Sequence, residues 1–515
     1  MKNTTPGIHR GTLRRFRAEL EEVMRTVRHL RSAIALLSWD QETQMPPKAT
    51  ERRAQQMSTL ENLVHRELIS PRVQRLAARA ERIFPHLPER DQRMVRLFLR
   101  EHRRATALPP SLVEELARTQ TLAVASWRYA KKENDFYLFA PYLQRLIELK
   151  RKQAECYGYA EHLYDALLDL YEPGMRLSTI HPLIRQLAQR MQELLQWTRQ
   201  IPYQPPTMLP PAPCAAQFVL GRHLCIAIGF DPERGRIDYS AHPFCTALAP
   251  NDVRMTTRCS EDEPRTCIYS LLHESGHALY DQNIPDELAD TFAGDGASMG
   301  IHESQSLFWE DIVGRSLAFC RWAAPIWRQY LNGMLNTPWT HLTAEQLFRA
   351  LNYVQPSLIR TEADEVTYHM HILLRLEIEL ALLEGNLRVK ELPEAWNSGM
   401  DRLLGLHPPD DRTGCLQDIH WSLGEFGYFP TYSIGKLYAA MFWKQLQRDV
   451  PDIEERIASG EFELVLSWLK QHIYAVGALE TPQEIVQRVT GRTLTIEDFA
   501  EYIAAKLQHV YSATL

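Results

Sequence analysis

Residues 271–280 read LLHESGHALY, with two histidines four apart and a glutamate directly after the first. On an α-helix, positions four apart lie about 40° from one another and one turn up, so His273 and His277 share a face. Two neutral imidazoles there fill two corners of a zinc tetrahedron. Glu274 points away from their shared axis, where it suits a general base acting on a metal-activated water better than a ligand. Gly276 keeps the space between the histidines small. With 19 histidines in the chain, an HExxH string arises by chance in roughly a few per cent of such sequences. A third ligand therefore decides the matter.

One large group of zinc peptidases takes that ligand from HExxHxxGxxH, but here those later positions are Tyr280 and Asn283. The alternative is a glutamate on a following helix. The stretch GIHESQSLFWEDIVGRS at 300–316 has a helical apolar pattern, and Glu303 and Glu310 lie two turns apart on one of its faces. Spacing leaves both open as the ligand. His302, about 100° round from Glu303, suits a supporting or substrate role.

Two further stretches combine charge with aromatics. IRTEADE at 359–365 sets Arg360 among acids, with Glu362 or Asp364 as its expected partners if it is structural. The stretch 414–435 gathers Gln417, Asp418, His420, Trp421, Tyr428 and Tyr432 between glycines.

These groups need a scaffold, and apolar spacing supplies mostly helices. Residues 14–38 carry Phe16, Leu20, Val23, Met24, Val27, Leu30 and Ile34 on one face. Similar patterns run through 111–133, 138–157, 181–198, 305–331, 344–354, 365–384, 435–448 and 462–474. Alternation favours strands only at 236–240 and 252–258. The fold class is mainly α with a few short strands near the site. A proline-rich connection at 201–216 separates a helical lobe, 1–200, from a catalytic helical lobe, 217–515, packed as one unit.

Composition excludes several classes. The 515 residues are 45% hydrophobic with a net charge of -6 and show no basic stripe, so neither nucleic acid nor an anionic membrane is expected as a partner. The longest apolar runs, such as 33–39, are too short to span a bilayer. The first residues hold no apolar signal-peptide core. Eight scattered cysteines without a CxxC pair read as reduced, buried thiols. A cytoplasmic enzyme is expected.

The motifs together resemble the carboxypeptidase Taq family of zinc metallocarboxypeptidases over nearly the whole chain. LLSWDQETQMPPKATERRAQQ (36–56), YDALLDLYEPG (164–174) and GRIDYSAHPF (235–244) follow the family's order. So does the specific set NDVRMTTR (251–258), HESGH (273–277), HESQS (302–306), IRTEAD (359–364) and GCLQDIHW (414–421). Asn283 and Lys436 depart from the family's Gly and Asn.

The resemblance implies zinc on His273, His277 and Glu303, with cobalt able to substitute, and Glu274 as base. It also implies a helical fold with a long groove, a homodimer, and removal of C-terminal residues from peptides. Tyr432, Tyr428 and His420 are candidates for stabilising the oxyanion. Arg360 and Arg254 are candidates for binding the substrate carboxylate, and DVRMTTR is expected to offer an edge strand to extended peptide. The alternatives are a zinc endo-oligopeptidase using the same metal site, and a helical scaffold protein that binds no metal.

Overall fold

The computed structural model describes residues 10–202, 209–331 and 338–512. Periodic apolar spacing becomes helix almost throughout. The first helix, Arg10–Thr43, buries Phe16, Leu20, Val23, Met24 and Val27, while Leu30 and Ile34 are only half-buried. Helices Pro110–Glu133, Ala140–Tyr157, Leu177–Gln200, Tyr368–Glu384 and Pro430–Asp449 lie where the pattern places them. Of the proline-rich connection, residues 203–208 lie outside the described residues.

The expected strands are β1 (Gly235–Tyr239) and β3 (Asp252–Thr257), and a third, β2 (Cys245–Ala249), lies between them in sequence. The sheet order is β1-β3-β2, with β1 parallel and β2 antiparallel to β3. DVRMTTR is therefore the central strand, and the expectation of an edge there is corrected. Both its neighbours are already hydrogen-bonded to it, so a free edge belongs to β1 and β2.

Polar contacts cross between the two halves of the chain deep inside. Trp127 Nε1 donates to the Leu416 carbonyl at 3.0 Å, Tyr164 donates to Glu379 at 2.7 Å, and Tyr438 donates to Glu172 at 2.8 Å. Apolar side chains from Phe16 to Tyr511 form one continuous core around them.

The cysteine reading needs correction. Cys214 and Cys259 are bonded as a disulfide, while six cysteines are free and four of those buried. The first turn of helix Cys214–Ala227 meets the segment leaving β3, which brings the two Cα atoms to 5.7 Å.

Candidate active site

The HExxH helix runs Pro264–Gln282, with Pro264 in its first turn and the Glu263 carboxylate accepting the Arg265 N–H. The helix Met299–Leu307 crosses it, started by Ser298 Oγ, which accepts the Ile301 N–H at 2.9 Å. Gly276 serves this crossing. A Cβ there would lie 2.2 Å from the Gln305 carbonyl oxygen and 2.5 Å from Ser306 Cα, so only glycine lets the two backbones approach so closely. On the opposite side Gly435, in helix Pro430–Asp449, abuts Glu303, where a Cβ would meet Cγ at 2.9 Å. The Glu303 helix is thus held between two glycines. Immediately after it the chain widens into a π-turn over Phe308–Val313, a form that recurs at functional sites.

This crossing sets the two glutamates that spacing left open in different places. Glu303 Oε2 lies 3.9 Å from His273 Nε2 and 3.4 Å from His277 Nε2. Glu310 instead meets the far side of His273, its Oε2 2.8 Å from Nδ1, and is tied in turn to Arg315 at 2.6 Å. His302 supports the second imidazole: its Nδ1 is 2.6 Å from His277 Nδ1, and its Nε2 is 3.1 Å from Asp281 Oδ1. An ionised carboxylate only accepts. With neutral rings, Asp281 takes the His302 Nε2–H, so His302 Nδ1 accepts the His277 Nδ1–H. Glu310 likewise takes the His273 Nδ1–H. Both imidazoles therefore turn a bare Nε2 toward Glu303.

Those three donor atoms lie within 4.8 Å of one another. Ligands on a tetrahedral ion at about 2.0–2.1 Å stand about 3.4 Å apart, so the set fits a divalent cation after small adjustment. The electrostatics agree. Burial raises Glu303, but the two histidines outweigh it and hold its carboxyl down to about 2. Burial lowers His273, yet Glu303 and Glu310 raise it to about 10: the acids draw positive charge to this ring, and a bound cation would take the place of its proton. Burial, then His302 and His273, take His277 down to about 4. Burial, with Glu303 and Glu310 against the pull of His273, lifts Glu274 to about 7. Glu274 has no hydrogen bond or ion pair to a described side chain; burial, then Asp281 and Glu274, push up the Cys245 thiol of β2.

The remaining candidates fall into two places. Tyr432, His420, Tyr428 and Arg360 come together on one wall. His420 Nε2 is 3.1 Å from the Tyr432 hydroxyl, and the Tyr428 and Tyr432 rings meet edge-on at 5.4 Å. The Arg360 guanidinium lies 4.8 Å from the Tyr432 ring centre. Burial raises both tyrosines, and Glu303 is near enough to add to it. Burial and Arg360 lower His420 to about 3, which keeps it neutral. Arg360 pairs with Asp418 at 2.9 Å and donates to Tyr368 at 2.9 Å, so its expected local partners Glu362 and Asp364 are replaced. Asp364 accepts the backbone N–H groups of Val366 and Thr367. Burial raises Asp418, but Arg375 and Arg360 hold it well below the usual carboxylate range.

Arg254 lies elsewhere. Val253 and Met255 face the HExxH helix, whereas Arg254 turns the other way, stacked 4.4 Å over Trp39 and paired with Asp252 at 2.9 Å.

Sequence reasoning missed Asp281, Tyr368 and the part played by Glu310. Asp281 carried a signal, since it extends the 273, 277 spacing by one more turn. Tyr368 carried none.

The chain matches the family model described as carboxypeptidase Taq (M32) metallopeptidase over residues 19–507. It is 40% identical to thermostable carboxypeptidase 1 of Thermus thermophilus, covering 96% of this chain and 98% of that one. It is 34% identical to carboxypeptidase 1 of Bacillus subtilis, covering 96% and 99%. The M32 carboxypeptidase of Deinococcus radiodurans superposes with a TM-score of 0.92 at 33% identity, covering 96% and 99%. A helical body, three converging metal-type donors and this coverage lead to one conclusion: the chain belongs to the carboxypeptidase Taq family and is a metallocarboxypeptidase.

Proposed function

We propose that this metallocarboxypeptidase works with zinc held by His273, His277 and Glu303, and that Co2+ can replace it. The observation carrying this reading is the convergence of the three donors, with each imidazole Nδ1 already engaged behind it. When bound, the ion supplies Lewis-acid polarisation of the scissile carbonyl and of the attacking water. Glu274 takes the proton from that water and passes it to the leaving amine, for which a buried carboxyl without a side-chain partner is free. Tyr432, held by neutral His420, donates to the developing oxyanion, and Tyr428 adds a second hydroxyl beside it.

Selection of the chain end needs a cation for the terminal carboxylate. We assign Arg360 this role, its plane fixed by Asp418 and Tyr368. Arg254 is the weaker choice because its strand face turns away from the HExxH helix. Extended peptide pairs with the outer edge of β2, whose Cys245 lies within electrostatic reach of Glu274. The two lobes and their connection act as one catalytic unit, and the chain works as a homodimer, for which light scattering is expected to give twice the mass of one chain. We place the enzyme in the cytoplasm on its six free cysteines. The Cys214–Cys259 bond is the feature that pulls the other way.

The decisive variant is Glu274→Gln. It is expected to retain stoichiometric metal while kcat falls by about 10²–10⁴. Near-normal turnover would remove Glu274 from the mechanism. Mass spectra of treated peptides should show ladders shortened from the C-terminus that a chelator abolishes and zinc restores.

A further inference from the structure

Arg96, Arg100, Arg103 and Arg104 share one face of the helix Glu89–Ala107, at the i, i+4, i+7, i+8 spacing of a helical stripe. That face forms one wall of a cleft of about 850 Å³, and residues 157–160 and 165–176 contribute to the others. The volume falls within the roughly 300–1,000 Å³ of small-molecule sites. No metal-site residue lines it. The segment 169–176 stands between, its Tyr171 carbonyl accepting the Met299 N–H at 2.9 Å on the side of the Glu303 helix.

The acids of the cleft are already committed. Glu81 pairs with Arg103 at 2.7 Å, and Asp169 takes Arg104 at 2.8 Å and the Gly174 N–H at 2.9 Å. Asp165 accepts the Leu177 N–H at 2.7 Å. Arg96 and Arg100, one turn apart, are left without an ion pair among the described residues. Arg96 only stacks over Phe84 at 5.5 Å, and Arg100 Nε is buried with no acceptor. Burial and the neighbouring Arg104 pull Arg100 below its ordinary value. Like charges one turn apart also repel, so holding these guanidiniums together has a cost. An anion between them would satisfy the orphaned donor and screen the repulsion, and the guanidinium fork suits phosphate and carboxylate alike.

We propose that this cleft binds a small molecule carrying at least two anionic groups, phosphates or carboxylates. One group is held by Arg100 and another by Arg96, with the body of the ligand against Phe84 and Tyr157. The site is separate from the peptidase centre and goes beyond its chemistry.

Isothermal titration of the holoenzyme with inorganic pyrophosphate and, in a second arm, with citrate tests this. At least one anion is expected to bind saturably, one per chain, and affinity should fall about tenfold or more in Arg100→Gln and in Arg96→Gln. Arg190→Gln, at an exposed arginine outside the cleft, should change nothing. The tighter arm identifies the ligand's anionic group as phosphate or carboxylate. Both anions also bind metal ions, so equal affinity in the wild type and both cleft variants would assign the signal to the metal centre and overturn the proposal. Absence of saturable binding in both arms would overturn it too. If Arg100→Gln does not fold, the exposed Arg96 carries the same comparison.

Discussion

Glu310 holds His273 from behind: its Oε2 lies 2.8 Å from Nδ1, the nitrogen opposite the one turned toward Glu303. Outer partners of this kind fix ring orientation and raise ligand basicity. Glu310→Gln is expected to weaken metal affinity by about 10–100-fold, read by competition with a chromogenic chelator. Glu303→Gln should lose the metal far more completely. Equal losses in the two variants would contradict the division of roles.

Arg360 lies beside Tyr432 with its guanidinium already shared between Asp418 and Tyr368. As a carboxylate anchor, its loss should be selective. Arg360→Ala should lower kcat/KM for free peptides by about 10²-fold or more, in line with roughly 3 kcal/mol for a charged hydrogen-bonded contact. Turnover of C-terminally amidated peptides should change little. Equal proportional losses on both substrates would make Arg360 purely structural.

Gly276→Ala sets two effects against each other. Replacing glycine inside a helix gains up to about 1 kcal/mol in propensity. The new methyl would meet backbone atoms of Gln305 and Ser306 at 2.2 and 2.5 Å, so the Glu303 helix would have to move. Such overpacking costs about 1–3 kcal/mol or more. The clash is expected to win, lowering both the melting temperature and metal occupancy. A more stable, fully metallated variant would show that the crossing is looser than described.

Glu379 sits where the lobes meet, accepting from Trp421, Tyr164 and the Gly427 N–H, and burial pushes its carboxyl up to about 7. A folded-state value above the unfolded one means stability that is full below about pH 4.5 and is lost as pH rises through about 7. At 1.36 kcal/mol per pH unit, the ceiling is about 3 kcal/mol. Glu379→Gln turns a donor toward Trp421 and should be less stable at pH 5. Its stability should then fall less than the wild type's between pH 5 and pH 8. Parallel denaturation curves across that range would rule Glu379 out as the titrating group.

The Cys214–Cys259 bond closes a loop of 45 residues that contains the whole sheet. Chain-entropy arguments assign such a loop about 4 kcal/mol. Cys214→Ser should melt lower than the oxidised wild type and match the wild type treated with reductant. Identical melting in all three would mean that the bond contributes nothing to stability.

What was legible in the sequence was local. The 273, 277 pair depends on helical periodicity alone, and the structure places both rings as that periodicity requires. Glu303 against Glu310 was undecidable from spacing, because two residues on one helix face can engage opposite nitrogens of one imidazole. The family resemblance made that choice. β2 escaped notice because all five of its residues are half-buried, leaving no alternation to detect. Local spacing offers Arg360 acids two and four residues away, whereas its partner, Asp418, lies 58 away. The disulfide was hidden in the same way. Pairing over such distances is a property of packing, and spacing carries no trace of it.

The two glycines flanking the Glu303 helix have a consequence for the life cycle of the enzyme. Because close contact of Gly276 with the Gln305–Ser306 backbone and of Gly435 with the Glu303 side chain sets where that helix lies, the proposed ligand cage would be held by the fold and not by its ion. Stripping the metal should therefore leave an open receptacle instead of a collapsed one. Inactivation by chelators then becomes a reversible exchange, and one divalent ion can follow another into the same seat without the protein refolding.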